Sequence, residues 1–187
     1  MSGKGVSARN RILAGGVAAV AVTAGVVGVV ASNADSTEPG TKAPVVADAG
    51  EANLQQSTHL TVAAATRAAQ AALDAAKQEN QRVSVAVVDR DGNTIVVLRG
   101  DGAGPQSFES AREKAFTAVS WNAPTSKLVE RLASAPQLAD IPGTLFLAGG
   151  APVDAKGAPI AGIGVAGAPS GDLDEKFAQA GAAALGH

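Results

Sequence analysis

The stretch RVSVAVVDRDGNTIVVLRG, residues 82–100, decides the fold of this chain. β-Branched residues dominate both ends of the stretch, and such residues favour strands. Between the two ends lies DRDGN, residues 89–93, in which Asp and Asn flank Gly92. Asp, Asn and Gly tolerate the positive φ angles of tight turns. The stretch therefore predicts two antiparallel strands joined by a short turn.

A helix precedes this hairpin, and a second hairpin and a final helix follow it. LTVAAATRAAQAALDAAKQEN, residues 60–80, places apolar residues at helical spacing behind Thr61, a suitable N-cap. The second hairpin is predicted from TLFLAGG (144–150) as one strand, APVDAKG (151–157) as the turn region and APIAGIGVAG (158–167) as the other strand, with a helix over 170–185. This order predicts an α+β domain in which an antiparallel sheet has helices packed on its faces.

The stretch SAREKAFTAVSWNAPT, residues 110–125, predicts a further helix between the hairpins. Ser110 and Glu113 match a capping box, and Pro124 ends the helical pattern. A short helix over TSKLVERLAS, residues 125–134, is predicted to follow. The stripe of Ala111, Ala115 and Ala118 can pack closely on the sheet. Another face carries Lys114, Thr117 and Trp121, and it is either a solvated surface or a groove for a ligand or a second subunit.

GIGVAG, residues 162–167, matches the glycine pattern of dinucleotide-binding sites. Pro169 follows the motif, and too few residues remain for the second strand that such a site needs. The glycines are therefore interpreted as allowing close packing of a strand against a neighbouring element.

Composition excludes several classes of function. The net charge of −2 argues against a nucleic-acid partner, and the absence of cysteine excludes disulfides and thiolate metal sites. The two histidines, His59 and His187, show neither a metal-ligand spacing nor a Ser-His-Asp pattern. Asp89 and Asp91 are interpreted as turn residues. Hydrolytic and zinc-dependent activities therefore have no support in the sequence.

The N-terminus predicts export. Lys4, Arg9 and Arg11 precede ILAGGVAAVAVTAGVVGVVA, residues 12–31, an uncharged run typical of a secretory signal. We expect a signal peptide over 1–34, a flexible tether over 35–57 and a folded domain over 58–187, with secretion of the mature chain. An uncleaved membrane anchor is the alternative, because the run is nearly long enough to span a bilayer.

Four motifs resemble, in order, those of the GlcG/HbpS-type haem-binding domain family: residues 83–103, 110–121, 145–153 and 162–181. The resemblance implies a profilin-like fold, assembly into octamers and haem binding. It also implies association with a membrane sensor kinase of a two-component system under oxidative stress. Other members belong to glycolate utilisation. A threonine is the proposed iron ligand in the haem-binding members; the resemblance carries this role to Thr117 in KAFTA, with Thr125 as the alternative.

The residues themselves are compatible with a weak haem site. Haem iron is usually held by His, Cys, Met or Tyr, and the chain has no Cys, no Tyr and only Met1. A hydroxyl, a lysine or one of the two histidines must therefore serve. Lys114 and Arg112 are candidates to pair with the propionates, and Trp121 is a candidate to stack on the porphyrin.

These observations predict an extracytoplasmic haem-binding protein that acts as a haem and redox sensor accessory or in iron handling, rather than a turnover enzyme. The alternative is an enzyme or enzyme accessory that binds a small hydroxy acid such as glycolate. In that case the turn at residues 167–172 and the following helix N-terminus would hold the carboxylate, although Asp172 and Asp174 would repel it.

Overall fold

A computed structural model describes residues 47–186 of the chain. The predicted signal peptide, the first part of the predicted tether and His187 lie outside the described residues. Residues 47–59 are exposed and contain one 3-10 turn, Glu51–Asn53. Within residues 47–186, no helix has both the length and the apolar character that crossing a membrane requires.

The described chain forms an α+β fold, which confirms the predicted class. Its helices are α1 (Val62–Gln78), α2 (Ser107–Trp121), α3 (Thr125–Val129) and α4 (Gly171–Ala183). Its strands are β1 (Ser84–Asp89), β2 (Thr94–Arg99), β3 (Gly150–Ala155) and β4 (Ala158–Ala166). Two 3-10 segments, Glu130–Ala133 and Pro136–Asp140, follow α3.

All three strand pairings are antiparallel, in the order β2-β1-β4-β3. The hairpin predicted over residues 82–100 is confirmed, and its strand β1 pairs with both β2 and β4. Every residue of β1 is buried. A strand that is central in its sheet and covered on both faces has this burial pattern, which explains why its sequence is almost continuously apolar.

The side chains of β1 alternate between two cores. Val85 and Val87 pack with α1 and α4 in the larger core, which also contains Phe177. Ala86 and Val88 pack against α2 in the smaller core. Because successive strand residues point to opposite faces, one strand supplies both cores. The sheet is therefore a middle layer between α2 and the α1/α4 pair.

Helix α2 approaches β4 closely because glycines face it. A Cβ atom at Gly162 would overlap the backbone carbonyl of Ala115, and one at Gly164 would overlap that of Ala111. The sequence interpretation of both the glycine motif and the alanine stripe is confirmed. The helix lies on the strand at backbone contact, which leaves little room for side chains between them.

The predicted helix starts are correct for α1 and α4. The Thr61 hydroxyl accepts a hydrogen bond from the Ala64 amide at 3.1 Å, and the Ser170 hydroxyl accepts one from the Leu173 amide at 3.2 Å. Each bond satisfies an amide that has no partner within its helix.

Three element boundaries differ from the sequence predictions. Helix α2 begins at Ser107, so Ser110 lies inside it and the predicted capping box is wrong. The Ser107 hydroxyl instead donates to the Gly104 carbonyl at 2.6 Å. Residues 144–149 are not a strand; β3 starts at Gly150 and runs through the predicted turn region, with the turn itself at 156–157. The helix predicted over 125–134 ends at Val129 and continues as a 3-10 segment.

Candidate functional site

A cleft of about 450 Å³ lies between α2, the segment 144–149 and the beginning of α4. It is lined by Lys114, Ser126, Val129, Leu147, Ala148, Ala168, Pro169, Ser170, Gly171, Asp172 and Asp174. A smaller cleft of about 190 Å³ shares four of these residues: Lys114, Leu147, Ala168 and Asp174. The volume and the mainly apolar walls are those of a site for a small organic ligand.

A buried ion pair lies at the wall that the two clefts share. The Lys114 Nζ atom donates to Asp174 Oδ2 at 2.8 Å and to the Val165 carbonyl at 3.1 Å, and both charged side chains are about 95% buried. The Ala168 amide donates to the other carboxylate oxygen at 2.9 Å. Burial raises the pKa of Asp174 above its ordinary value, although the hydrogen bond from Lys114 opposes this shift.

A second carboxylate on α4 attaches α3 to the rest of the domain. The buried Glu175 side chain accepts hydrogen bonds from the Ser126 amide at 2.8 Å and the Ser126 hydroxyl at 2.6 Å. The Thr125 hydroxyl accepts from the Gly150 amide at 2.7 Å and lies 3.4 Å from the same carboxylate. Thr125, the alternative iron ligand, is therefore a fully buried residue that joins α3, α4 and β3.

Thr117, the predicted iron ligand, is also fully buried. Its hydroxyl donates to the Glu113 carbonyl at 2.7 Å and accepts from the Leu145 amide at 2.8 Å. The interpretation of Lys114 and Thr117 as part of a solvated face is wrong, because both side chains are buried between α2 and neighbouring segments. Because Thr117 is fully buried, a neighbouring segment would have to move before its oxygen could reach a haem iron.

Trp121 and Arg112 are half-buried and lie away from the cleft lining. The Trp121 ring packs edge-to-face on Phe146, with ring centroids 5.2 Å apart. The Arg112 guanidinium binds Glu109, and this hydrogen bond lowers the pKa of Glu109 and raises the pKa of Arg112. Of the four predicted site residues, Lys114 alone lines the cleft.

Part of the cleft lining coincides with the alternative carboxylate site of the sequence analysis, the turn at 167–172 and the following helix N-terminus. Sequence reasoning missed that Asp174 is the partner of Lys114, and it places the wall residue Leu147 in a strand. Asp174 lies 60 positions from its partner Lys114, so no local pattern indicates the pair. A lysine between the small residues Ala111, Ala115 and Ala118 is a sequence signal that could have suggested a buried partner.

The turn of the first hairpin behaves as predicted. One oxygen of Asp89, Oδ1, accepts hydrogen bonds from the Asp91 amide at 2.9 Å and the Asn93 amide at 2.8 Å. Burial alone would raise the pKa of Asp89, but these hydrogen bonds and the nearby His59 lower it overall. The carboxylate thus stays ionised while it organises the turn.

A sheet covered by helices on both faces, with an apolar cleft beside a buried ion pair, defines a small-ligand-binding α+β domain. Sequence comparison gives the family. The chain belongs to the family described as "Haem degrading protein HbpS-like", whose profile matches residues 60–183. The resemblance identified from the four sequence motifs is thereby confirmed.

Solved structures with the same fold include relatives that are close in sequence. A double mutant of HbpS from Streptomyces reticuli is 73% identical, with a TM-score of 0.74, and the match covers 79% of this chain and 99% of that one. The PduOC:heme complex is 27% identical, with a TM-score of 0.62, over 68% of this chain and 95% of that one.

A curated relative from Citrobacter freundii is an uncharacterized 15.0 kDa protein encoded in the dhaT-dhaS intergenic region. It is 32% identical over 118 residues, which is 60% of this chain and 83% of the relative. Haem thus appears both in the family description and in one solved relative.

Proposed function

We propose that this chain is an extracytoplasmic haem-binding protein that takes up and releases haem readily, serving haem and redox sensing or iron handling. Membership of the HbpS-like family is the observation that carries the proposal. The haem complex of a relative with the same fold supports it. The cleft beside α2 is the candidate site, because it is the larger of the two clefts that meet at the Lys114–Asp174 pair.

The lining of the cleft fits part of an apolar macrocycle. Val129 and Leu147 are large apolar side chains exposed in the cleft walls, and Pro169 adds a rigid surface. The lining contains no His, Cys, Met or Tyr; the oxygens it offers to iron are the hydroxyls of Ser126 and Ser170 and the exposed carboxylate of Asp172. When bound, haem would supply a redox-active iron. The chain would hold it mainly by apolar contact, which favours exchange over permanent retention.

The charged side chains at the cleft are already paired or acidic. Lys114 donates to Asp174, so its charge is already compensated, and pairing with a propionate, as the sequence predicts, would require it to exchange partners. Asp172 is exposed in the lining and adds negative charge. The same charges disfavour glycolate and other small hydroxy acids at the start of α4. Val129, Leu147 and Pro169 would therefore hold the apolar ring, while the lining would offer no uncompensated positive charge to the propionates.

Export, octamer formation and modulation of a membrane sensor kinase complete the proposal. The basic and apolar pattern of residues 4–31 supports export. The resemblance to the family supports both the octamer and the kinase. A sensor that exchanges haem outside the cytoplasm needs a membrane partner to pass the signal inward, which a two-component kinase provides.

Haemin titration of the purified chain, followed by the Soret absorption band, tests the proposal. Leu147→Glu places a charge on the apolar wall, and because Leu147 is 54% exposed the fold should tolerate it. We expect haemin affinity to fall about tenfold or more, because a charged side chain on the wall opposes burial of the apolar ring. A tenfold loss corresponds to about 1.4 kcal/mol of binding free energy.

Leu54→Glu is the matched control, because Leu54 is also exposed and lies outside the family match. It should leave the titration unchanged. Equal affinities for parent and Leu147→Glu would contradict the cleft assignment, and absence of any Soret change in the parent would contradict haem binding itself. Loss of the band in His59→Ala alone would assign the iron ligand to His59.

A further inference from the structure

A long excursion of the chain between α3 and β3, residues 129–145, contains no buried side chain. It begins directly after Leu128 and ends directly before Phe146, and both of these flanking side chains are buried. Its two 3-10 segments, Glu130–Ala133 and Pro136–Asp140, pack on each other and on the short helix α3. A segment with few buried apolar contacts opens at a lower free energy than the core of its domain. Residues 129–145 are called the flap below.

The flap forms part of the wall of the cleft. Val129, its first residue, lines the larger cleft, and Leu145, its last residue, lines the smaller one. Leu147, shortly after the flap, lines both clefts. The Val129 and Leu147 side chains are exposed although they are large and apolar. A displacement of the flap therefore changes both the width of the cleft and the apolar surface that the cleft offers to a ligand.

One buried carboxylate binds the chain on both sides of the flap. Before the flap, the Ser126 amide and hydroxyl donate to Glu175 at 2.8 and 2.6 Å. After the flap, the Gly149 amide donates to Glu175 Oε2 at 3.4 Å. A further attachment is the hydrogen bond from the Leu145 amide to the Thr117 hydroxyl. The flap is thus held at its two ends, while its own side chains remain in contact with solvent.

The attachment at Glu175 is easier to break than an ion pair. In the described part of the chain, the hydrogen-bond partners of Glu175 are neutral groups, whereas its neighbour Asp174 pairs with a lysine. A buried carboxylate without a counter-charge carries a desolvation cost. When Ser126 withdraws, water reaches the carboxylate and offsets the lost hydrogen bonds. The closed and open positions of the flap therefore differ less in free energy than they would across a buried ion pair.

We propose that Glu175 is a positioning residue for ligand uptake. Its carboxylate holds the flap against the cleft, and release of Ser126 lets the flap swing out and widen the entrance. Haem is the ligand that enters, so this role rests on the proposed function. The same opening must occur for haem to leave, so Glu175 sets the rates of uptake and release together rather than the affinity.

Hydrogen–deuterium exchange of the haem-free full chain, measured by mass spectrometry of its peptides, tests flap opening directly. Glu175→Gln keeps the size of the side chain and one oxygen for the Ser126 amide, but it removes the charge and turns an NH₂ group toward the other donors. Amides of residues 129–145 should exchange about tenfold faster, because hydrogen bonds to a charged group are lost. Amides of α1 should exchange at the parent rate.

A second variant changes the flap side of the same attachment. Ser126→Ala removes the hydroxyl donor and leaves Glu175 in place, so flap exchange should accelerate about threefold, as expected for one lost hydrogen bond. Ser134→Ala is the matched control, because the Ser134 hydroxyl donates to the Arg131 carbonyl within the flap at 3.2 Å. The control should stay within about twofold of the parent.

Two exchange results would overturn the proposal. One is a parent-like exchange rate of the flap in both Glu175→Gln and Ser126→Ala. The other is an equal acceleration in α1, which would mean that Glu175 stabilises the whole domain rather than the position of the flap.

Stopped-flow mixing with haemin, followed at the Soret band, tests the link to uptake. Glu175→Gln should raise the association and dissociation rates by similar factors and leave the affinity within about threefold of the parent, because the attachment is lost equally in the free and bound closed states. Unchanged rates, or a lower affinity at an unchanged association rate, would overturn the role in uptake. Exchange is measured without haemin, so faster flap exchange without any Soret change would contradict haem binding and still support the flap.

Discussion

The two faces of the sheet are packed by different means. On the α1/α4 face, branched and aromatic side chains such as Ile163, Val165 and Phe177 fill the core against alanine-rich helices. On the α2 face, Gly162 and Gly164 of the same strand allow the helix backbone to touch the sheet. The α1/α4 face is thus packed by large side chains, whereas the α2 face is packed by direct contact between the helix and strand backbones.

Several buried polar groups lie on the α2 face. Ser84, Ser107, Lys114 and Thr117 all lie on α2 or against it, and the Ser84 and Ser107 hydroxyls are 2.8 Å apart. The buried carboxylates of α4, Asp174 and Glu175, lie at the beginning of that helix, where Asp174 pairs with Lys114 and Glu175 binds Ser126. The α2 face therefore depends on matched hydrogen bonds and close fit, while the packing of α1 and α4 on the opposite face depends on apolar area. Errors of geometry should be costly on the first face and tolerated on the second.

The largest effect is expected from Lys114→Met, which breaks the buried ion pair. The change leaves the Asp174 carboxylate buried without its counter-charge, which costs about 3–5 kcal/mol of the free energy of unfolding. Urea unfolding at neutral pH measures the loss. The double variant Lys114→Met/Asp174→Leu should recover most of it, because no isolated charge remains. No recovery would mean that the lysine stem, rather than the pair, supplies the stability.

The same variant has a defined pH dependence. Burial raises the pKa of Asp174, so folding favours the protonated carboxyl. The protonated carboxyl contributes fully to the free energy of unfolding below the unfolded pKa of about 3.9. This contribution is lost as pH rises through the higher folded pKa. Without Lys114, ionisation of the buried Asp174 carboxyl costs more free energy in the folded state. The stability gap between parent and Lys114→Met should therefore widen between about pH 4 and pH 7. A gap that is independent of pH would contradict this assignment.

The next largest effect is expected from Gly164→Ala on the α2 face. Its added methyl group would overlap the Ala111 carbonyl, so α2 must move away from the sheet, at a cost of about 3 kcal/mol. Ile163→Val, the neighbouring residue on the opposite face, removes one methyl group and should cost about 1 kcal/mol. Thermal and urea unfolding compare the two. Equal losses in the free energy of unfolding for Gly164→Ala and Ile163→Val would contradict the difference in packing between the two faces of the sheet.

An effect smaller than that of Gly164→Ala is expected from Thr117→Val, which preserves side-chain shape but removes the hydroxyl. The Leu145 amide loses its acceptor, which costs about 2 kcal/mol. Thr117→Ser retains the hydroxyl and is the matched control for this bond. Soret spectra of both variants with haemin test the ligand prediction separately. A spectrum that changes in Thr117→Val while stability does not would favour iron ligation over the structural role.

Local patterns were sufficient for much of the fold. The β-branched runs around the Asp-Gly-Asn turn specify the first hairpin, and Thr61 marks the start of α1. The glycines of β4 indicated close packing because no nucleotide-binding topology could follow them. Each of these inferences depends on residues that are neighbours in sequence.

The rest depends on contacts between distant segments. Residues 144–149 have the composition of a strand, but the Leu145 amide binds Thr117 and the Phe146 ring packs on Trp121, so the segment follows α2 instead of the sheet. Helix α2 begins early because the Ser107 hydroxyl binds the preceding loop and faces Ser84. Only one wall of the cleft, the turn at 167–172, was considered as a ligand site from the sequence, because the other walls come from segments that meet it only in the folded chain.

The contact between Trp121 and Phe146 gives the chain an internal optical reporter. Trp121 is the only tryptophan in the sequence and there is no tyrosine, so ultraviolet-excited emission comes almost entirely from one place. That place is the end of α2, packed against the segment whose other residues line the cleft. A displacement of this segment changes the polarity around the indole and shifts the emission maximum. A porphyrin nearby absorbs in the emission range and quenches it.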